Sequence, residues 1–222
     1  MQNQTNVTGA SMQSIVPLPF APYYRDDSVT IYNMDCRKVL PWLGRFDLLL
    51  TDPPYGIGED GGSQRTRGSK RKNGRKMGWD SDRPNRAIFE MMLDATEHQV
   101  IWGGNYFADF LPATRGWLYW EKLMGGDFSD GELAWTSRDA VLKQFTKAKQ
   151  TQDRVHPTQK PLGLFRWCLS MFAESQTVLD PFAGSGTTGV ACKLEGRKAV
   201  LIEAVEEYCE SAAKRLSQGT LF

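Results

Sequence analysis

The chain has few of the side chains that build metal centres and disulfide frameworks. It contains only two histidines, His98 and His156, and its four cysteines include no CxxC pair. Zinc sites need clustered Cys and His ligands, and the disulfide frameworks of small secreted domains need closely spaced cysteines. We therefore expect no metal site and a reducing, cytoplasmic setting.

Long hydrophobic runs are also missing. No apolar stretch approaches the roughly 20 residues that cross a bilayer, so we expect no membrane partner. Residues 1–14 carry neither charge nor an apolar centre, unlike a secretory signal, and we expect residues 1–18 to form a flexible tail. With 41% hydrophobic and 24% charged residues, the sequence predicts a single globular domain over residues 19–222.

Positive charge is low in total but concentrated in one segment. The formal net charge is +1, yet residues 61–79 carry seven basic side chains and no acidic one. We interpret residues 59–79 as a basic loop that contacts the phosphates of double-stranded DNA, the alternative being a solvated loop without a partner. If all seven contacted phosphates, the logarithm of the DNA-binding constant would fall with the logarithm of the salt concentration with a slope of about −6. The basic side chains are Arg65, Arg67, Lys70, Arg71, Lys72, Arg75 and Lys76.

The order of apolar segments predicts an α/β fold. Continuous apolar runs such as residues 46–50 are typical of strands buried on both faces of a parallel sheet. The last fifty residues follow the order strand, glycine loop, helix, strand, helix. Residues 86–98 have helical spacing, and residues 132–136 and 140–145 resemble an antiparallel pair of strands. We interpret residues 125–150 as a small recognition insert.

A glycine-rich loop indicates a cofactor site. Residues 184–189 match GxGxxG between a predicted strand and a predicted helix, and Glu203 ends the next strand. Glycines allow a ligand to approach the backbone, and the Glu203 carboxylate can accept both ribose hydroxyls of an adenosine-bearing cofactor. Asp180 before the loop would repel a pyrophosphate but attract the ammonium group of S-adenosylmethionine. A nicotinamide-dependent oxidoreductase and a ligand-free glycine turn stay open as alternatives.

The sequence DPPY at residues 52–55 indicates a site that presents hydrogen-bond acceptors. Pro53 and Pro54 stiffen the backbone and lack N–H groups. An exocyclic base amine is a poor nucleophile that donates N–H groups, so the Asp52 carboxylate and the Pro53 carbonyl could orient it while Tyr55 stacks on the base. The alternative is an ordinary strand that ends in prolines. None of the cysteines follows a proline, which argues against methylation at carbon 5 of cytosine.

Together with HPTQKP at residues 156–161, these motifs resemble the amino-group DNA methyltransferases, in the permuted motif order of their beta class. The resemblance implies a Rossmann-like fold with a mostly parallel, seven-stranded sheet covered by helices on both faces. It also implies transfer of a methyl group from S-adenosylmethionine to the amine of a flipped base in DNA. Because DPPY accompanies adenine more often than cytosine, N6 of adenine is preferred and N4 of cytosine stays open.

The resemblance also assigns roles to residues and suggests partners. The limited room for recognition elements predicts a short target sequence or a second identical subunit, and a cognate restriction endonuclease is a further expected partner. The catalytic set would be Asp52, Pro53, Pro54 and Tyr55. The cofactor set would be Asp35, Cys36, Asp52, His156, Thr158, Lys160, Asp180, Phe182, Ala183, Gly184, Ser185, Gly186, Thr187 and Glu203.

Overall fold

The computed structural model describes residues 19–57, 83–123, 129–146 and 160–218. The predicted tail and the basic loop therefore lie outside the described residues, as does part of the predicted recognition insert. The strands are β1 (Tyr24–Arg25), β2 (Val29–Asn33), β3 (Phe46–Thr51), β4 (Thr96–Trp102), β5 (Trp117–Glu121), β6 (Gly131–Thr136), β7 (Lys143–Thr146), β8 (Thr177–Asp180) and β9 (Lys198–Glu203). The helices are α1 (Cys36–Val39), α2 (Arg86–Asp94), α3 (Leu162–Ser170), α4 (Thr187–Leu194) and α5 (Glu206–Ser217), with short 3-10 turns at Leu40–Trp42 and Gly104–Phe107.

All described strands belong to one mixed sheet in the order β1-β2-β9-β8-β3-β4-β6-β5-β7. Strands β2, β9, β8, β3 and β4 are parallel, β6 is antiparallel to both of its neighbours, and β1 is antiparallel to β2. The predicted Rossmann-like α/β fold is confirmed. The predicted number of seven strands is wrong, because the described residues form nine, with the two-residue β1 and the short β7 at the two edges.

Strand β6 pairs differently from the prediction. We expected the segments now seen as β6 and β7 to pair with each other, but β6 lies between β4 and β5, and β7 pairs in parallel with the far edge of β5. Both edges of β6 are thus occupied, which leaves no edge for β7. Because β6 runs against its neighbours, its first residues lie at the sheet edge where the parallel strands end.

The core lies on both faces of the sheet. Leu48 and Leu50 pack on the face covered by α3, α4 and α5, whereas Leu49 between them packs on the face covered by α1 and α2. A strand buried on both faces needs apolar side chains at successive positions, which explains the continuous run in β3. The helices on both faces are as predicted. All four cysteines are buried, unpaired thiols within this core.

The predicted helix over residues 86–98 is too long. The Asn85 side chain caps α2 by accepting a hydrogen bond from the Ile88 amide at 3.2 Å, but the helix ends at Asp94 and β4 begins at Thr96. His98 therefore lies in a strand, in register with Leu48 of β3. No helix in the described part of the chain combines the length and apolarity needed to cross a bilayer.

Candidate active site

A cavity of about 520 Å³ lies at the edge where the parallel strands end. Parallel α/β sheets bind ligands at this edge, outside the carboxyl ends of the strands. Four carboxylates that follow or end strands line the cavity: Asp35 after β2, Asp52 after β3, Asp180 at the end of β8 and Glu203 at the end of β9. We call the part around Glu203, Asp180 and the glycine loop the cofactor end, and the part around Asp52 the catalytic end.

Glu203 is held by backbone donors. Its Oε2 accepts a hydrogen bond from the Gly184 amide at 2.8 Å, and its Oε1 accepts one from the Val205 amide at 2.8 Å. Burial raises the pKa of this carboxyl, although the backbone donors oppose the rise. The arrangement fixes the carboxylate at the cavity wall, with its remaining acceptor capacity available for a ligand.

The glycine loop needs glycine at position 186 because its backbone packs closely against α5. Gly186 has a φ of +76°, and a Cβ atom there would lie 2.7 Å from the Cβ atom of Ala212 in α5. The left-handed conformation alone already disfavours other residues. The third glycine of the motif, Gly189, packs equally tightly, since its added Cβ would lie 2.7 Å from a Leu201 methyl group.

Asp35 and Cys36 line the same cavity next to Glu203. The Asp35 carboxylate caps α1 by accepting a hydrogen bond from the Arg37 amide at 2.9 Å, and it also pairs with the Arg37 guanidinium. This pairing lowers the pKa of Asp35. Burial raises the pKa of Cys36 to about 12, so its side chain is a neutral thiol.

Asp180 is a buried acid surrounded by hydroxyl donors. Its Oδ1 accepts hydrogen bonds from the Thr51 hydroxyl at 2.7 Å and the Phe182 amide at 3.1 Å, and its Oδ2 accepts one from the Thr188 hydroxyl. Its exposed fraction is 2%. Burial raises the pKa of Asp180 to about 6 despite these donors. A cation placed beside it would favour the ionised form.

At the catalytic end, Asp52 and Tyr55 form a direct pair. The Tyr55 hydroxyl donates to Asp52 Oδ1 at 2.5 Å. Burial raises the pKa of Asp52, and the opposing attraction of the Lys160 ammonium does not cancel that effect. Burial and the Asp52 charge together hold the pKa of Tyr55 well above its usual value, so the phenol stays protonated.

The Tyr55 ring is fixed by tight packing. Tyr106 stacks on it with ring centroids 4.7 Å apart and planes 13° apart. Gly103 has a φ of +67°, and a Cβ atom there would lie 2.1 Å from Tyr55 Cε1. One face of the Tyr55 ring is therefore already covered, while Tyr106 itself is 40% exposed.

A buried network of charges completes the catalytic end. The Lys160 ammonium pairs with Asp52 Oδ2, lies 3.1 Å from Glu132 Oε2 and donates to the Tyr55 hydroxyl oxygen at 3.1 Å. Glu132 Oε1 pairs in turn with Lys122. Burial lowers the pKa of Lys160, but Asp52 and Glu132 outweigh it, so the net shift is upward. Burial raises the pKa of Glu132, but the two lysines outweigh it and lower the pKa to about 2.

The residues predicted for the site do not include Glu132, Thr51 and Thr188. A reversed strand beside a parallel one presents its first residues at the functional edge, so Glu132 reaches the site through the antiparallel course of β6, which local sequence does not predict. Of the residues expected to bind the cofactor or the base, the described ones gather around this cavity, although Pro53, Tyr55 and Gly186 lie outside its lining. The expected sites Arg65, Arg67, Lys70, Arg71, Lys72, Arg75, Lys76, His156 and Thr158 lie outside the described residues.

Comparison with known families agrees with this geometry. Residues 94–214, more than half of the chain, match the family model for N6/N4 methyltransferases, described as DNA methylase. The chain belongs to the DNA methylase family. The matched range contains the glycine loop, Glu203 and the ion pair of Lys160 and Glu132, whereas Asp52 precedes it. Family membership argues against the nicotinamide-dependent alternative.

Relatives of this chain include three proteins named Type II methyltransferases. M2.LlaDCHI of Lactococcus lactis subsp. cremoris is 37% identical over 105 residues, which cover 47% of this chain and 38% of the relative. M2.DpnII of Streptococcus pneumoniae is 44% identical over 99 residues, which cover 44% of this chain and 36% of the relative. The chain thus matches little more than a third of these two proteins. M2.MboI of Moraxella bovis is 24% identical over 253 residues, which cover 90% of this chain and 92% of the relative.

Solved structures share the fold. The M1.HpyAVI–SAM complex is 25% identical with a TM-score of 0.58, and the match covers 85% of this chain and 99% of that one. The PvuII DNA methyltransferase, described as cytosine-N4-specific, has a TM-score of 0.62 at 17% identity, with 90% of each chain covered. The latter likeness concerns the fold alone.

Proposed function

We propose that this protein transfers a methyl group to the exocyclic amine of a base in DNA, with S-adenosylmethionine as its cofactor. The observation that carries the proposal is the cavity that Glu203, Asp180 and Asp52 share. It joins a glycine-loop cofactor site to an acceptor site that suits an amine. Membership of the DNA methylase family and the likeness to the M1.HpyAVI–SAM complex support the same chemistry.

The charges along the cavity fit this cofactor. Glu203 is a fixed acceptor suited to ribose hydroxyls, and Asp180 is a buried acid suited to an ammonium group. S-adenosylmethionine supplies an electrophilic methyl group on a sulfonium. A pyrophosphate would instead meet the Asp180 charge, which again disfavours a dinucleotide. Asp35 and Cys36 are available for the adenine ring, and Phe182, Ala183, Ser185 and Thr187 form the wall beside the methionine part.

Asp52 would perform two tasks in the transfer. Its carboxylate accepts a hydrogen bond from the target amine and thereby orients the nitrogen lone pair. After the nitrogen has gained a methyl group it must lose a proton, and Asp52 is the adjacent base, with a pKa raised by burial. Pro53 and Pro54 keep the corner rigid. Tyr55 fixes the carboxylate through its hydroxyl.

The preferred target is N6 of adenine, because the motif begins with Asp52 and not with serine. Double-stranded DNA is the expected partner, held through the basic loop at residues 59–79. The names of the Type II relatives support a cognate restriction endonuclease as a further partner.

The test is expression in a host free of DNA methylation, followed by sequencing of modified bases and mass spectrometry of the nucleosides. We expect N6-methyladenine at a short sequence; N4-methylcytosine would correct the base but keep the mechanism. In vitro, Asp52→Asn should lower transfer from labelled cofactor by about a thousandfold or more, because amine orientation and proton acceptance are lost together. Asp139→Asn, at an exposed surface pair with Arg115, is the matched control and should keep wild-type activity. Unmodified DNA in the wild-type culture would refute the proposal.

A further inference from the structure

The network of Lys160, Asp52, Glu132 and Lys122 is more than the proposed transfer requires. Two carboxylates and two ammonium groups form a charge-balanced chain that ends at the cavity. The exposed fraction of the Lys160 side chain is 6%. Burying Lys160 and partly burying the other three ionisable side chains costs free energy that hydrophobic residues of similar size would not. The arrangement therefore calls for a functional reason, and the inference below rests on the proposed function.

Asp52 and Lys160 place an obligate acceptor directly beside an obligate donor. An ionised carboxylate only accepts hydrogen bonds, and an ammonium group only donates them. Tyr55 and Lys160 each use one Asp52 oxygen, which leaves further lone pairs on the carboxylate for an amine. The three protons of the ammonium group face Asp52, Glu132 and the Tyr55 hydroxyl oxygen, so a ligand acceptor would replace the neutral Tyr55 oxygen while both carboxylates stay paired.

This pair is complementary to one class of base edge. Adenine and cytosine present an amine next to an unprotonated ring nitrogen, a donor beside an acceptor. Guanine and thymine present a carbonyl oxygen next to a ring N–H, the reverse order. The Asp52 acceptor and the Lys160 donor therefore match the edge of an amino base. With a keto base, the carboxylate would face a carbonyl oxygen and the ammonium would face an N–H group, and these groups would lose water without gaining hydrogen bonds.

Glu132 holds the donor in its place. It is the second residue of the reversed strand β6 and contacts Lys160, which lines the cavity, and Lys122 fixes its second oxygen. Because Glu132 shares the ammonium with Asp52, Lys160 does not neutralise Asp52 completely. The low pKa of Glu132 keeps this counter-charge present at every working pH.

We propose that Asp52 and Lys160 together read the amino edge of the target base, with Lys160 donating to a ring nitrogen, and that Glu132 is the positioning residue for Lys160. This gives Lys160 a role at the base in addition to the expected one at the cofactor. It also explains how one site chemistry can serve either amino base.

The first test removes the ring nitrogen from the substrate. Synthetic duplexes would carry the methylated sequence found by sequencing, with the target adenine replaced by 1-deazaadenine or 7-deazaadenine, or a target cytosine by 3-deazacytosine. If the target is adenine, the single-turnover rate of the wild type should fall about 10- to 100-fold with one of the two adenine analogues. If the target is cytosine, it should fall by the same factor with 3-deazacytosine. This factor is the usual effect of losing one charge-assisted hydrogen bond. In Lys160→Met, the single-turnover rate with the same analogue should be less than about threefold below the rate with the parent base. Equal penalties in the two proteins would overturn the proposal.

The second test changes Glu132 and leaves Lys160 in place, so it stays informative if Lys160→Met does not fold. Glu132→Gln should lower kcat about tenfold at an unchanged KM for the cofactor. The analogue penalty, which is the ratio of the rate with the parent base to the rate with the deaza analogue, should become about threefold or more smaller. Glu132→Asp should restore part of that penalty. Glu195→Gln, in a surface pair with Arg166, is the matched control. A loss of activity with the full analogue penalty retained would contradict the positioning role and leave Glu132 structural.

Failure of this inference is separable from failure of the proposed function. If the wild type methylates no DNA base, the proposed function fails before any analogue is tried. If it methylates DNA but tolerates the deaza analogues as well as the parent base, only the edge-reading inference falls.

Discussion

The two ends of the cavity hold their carboxylates in different ways. At the cofactor end, Glu203 is fixed by the amides of Gly184 and Val205, and Asp180 by an amide and two hydroxyls. At the catalytic end, Asp52 is fixed by a phenol and by an ammonium that it shares with Glu132. Backbone donors come with the loop itself, whereas the ion network joins side chains from distant segments. The cofactor end should therefore tolerate single substitutions better than the catalytic end.

The largest expected effect is on stability at the catalytic end. Lys160→Met would leave two partly buried carboxylates without their shared cation, and we expect the free energy of unfolding to fall by about 3 kcal/mol. The measurement is urea denaturation at neutral pH. Lys193→Met is the control, because Lys193 also pairs with an acid, Asp26, but is more exposed; its loss should be about 1 kcal/mol. Equal losses would show that the catalytic network is no more fragile than a peripheral pair.

The second largest effect is expected where Gly103 packs against the Tyr55 ring. Gly103→Ala adds left-handed strain and a Cβ atom 2.1 Å from the Tyr55 ring, so it should cost about 2 to 4 kcal/mol and reduce transfer by displacing the phenol. Gly196→Ala is a matched control, because its φ of +69° is similar and its added Cβ has no neighbour within 4 Å. That variant should lose only about 1 kcal/mol. Thermal unfolding and single-turnover rates of both variants would measure the difference.

The third effect in size is the dependence of stability on pH that Asp180 causes. Its pKa is raised from 3.8 to about 6, so the folded state binds its proton more tightly than the unfolded chain does. The contribution of Asp180 to stability is therefore greatest below pH 3.8 and declines as pH rises to about 6, by about 3 kcal/mol in total. Asp180→Asn should remove this decline in denaturation curves measured from about pH 4 to 7. An unchanged slope in the variant would assign the titration to another group.

The smallest effect is expected at Glu203. Glu203→Gln replaces one acceptor oxygen with a donor, so one of the two backbone amides loses its partner. We expect the Kd for S-adenosylmethionine to rise about tenfold, with the transfer rate at saturating cofactor within about twofold of wild type. Calorimetry supplies the Kd. Glu206→Gln, exposed in the first turn of α5, should bind like wild type. A collapse of the saturated rate would mean that the two ends are less independent than their contacts indicate.

The contrast between the ends also explains what could be predicted from sequence. The glycine loop, Glu203 and Asp180 form a local motif, because their contacts come mostly from the same strand, loop and helix segment. Glu132 carries no such signal, since its position depends on where β6 enters the sheet, and that is decided by long-range pairing with β4 and β5. The predicted pairing of residues 132–136 with 140–145 was wrong for the same reason. Local alternation identifies a strand, but not its neighbours.

The hydrogen bond from Thr51 to Asp180 connects the two ends directly. Thr51 immediately precedes Asp52, so the hydroxyl that donates to Asp180 belongs to the same strand end that carries the Asp52 carboxylate. If binding at one end shifts this shared strand end, binding at the other end is coupled to it, and such coupling is reciprocal. Any factor by which the cofactor changes the affinity for DNA is then the factor by which DNA changes the affinity for the cofactor. Under the proposed function, the strand end that carries Thr51 and Asp52 would be a route by which cofactor binding and DNA binding affect each other.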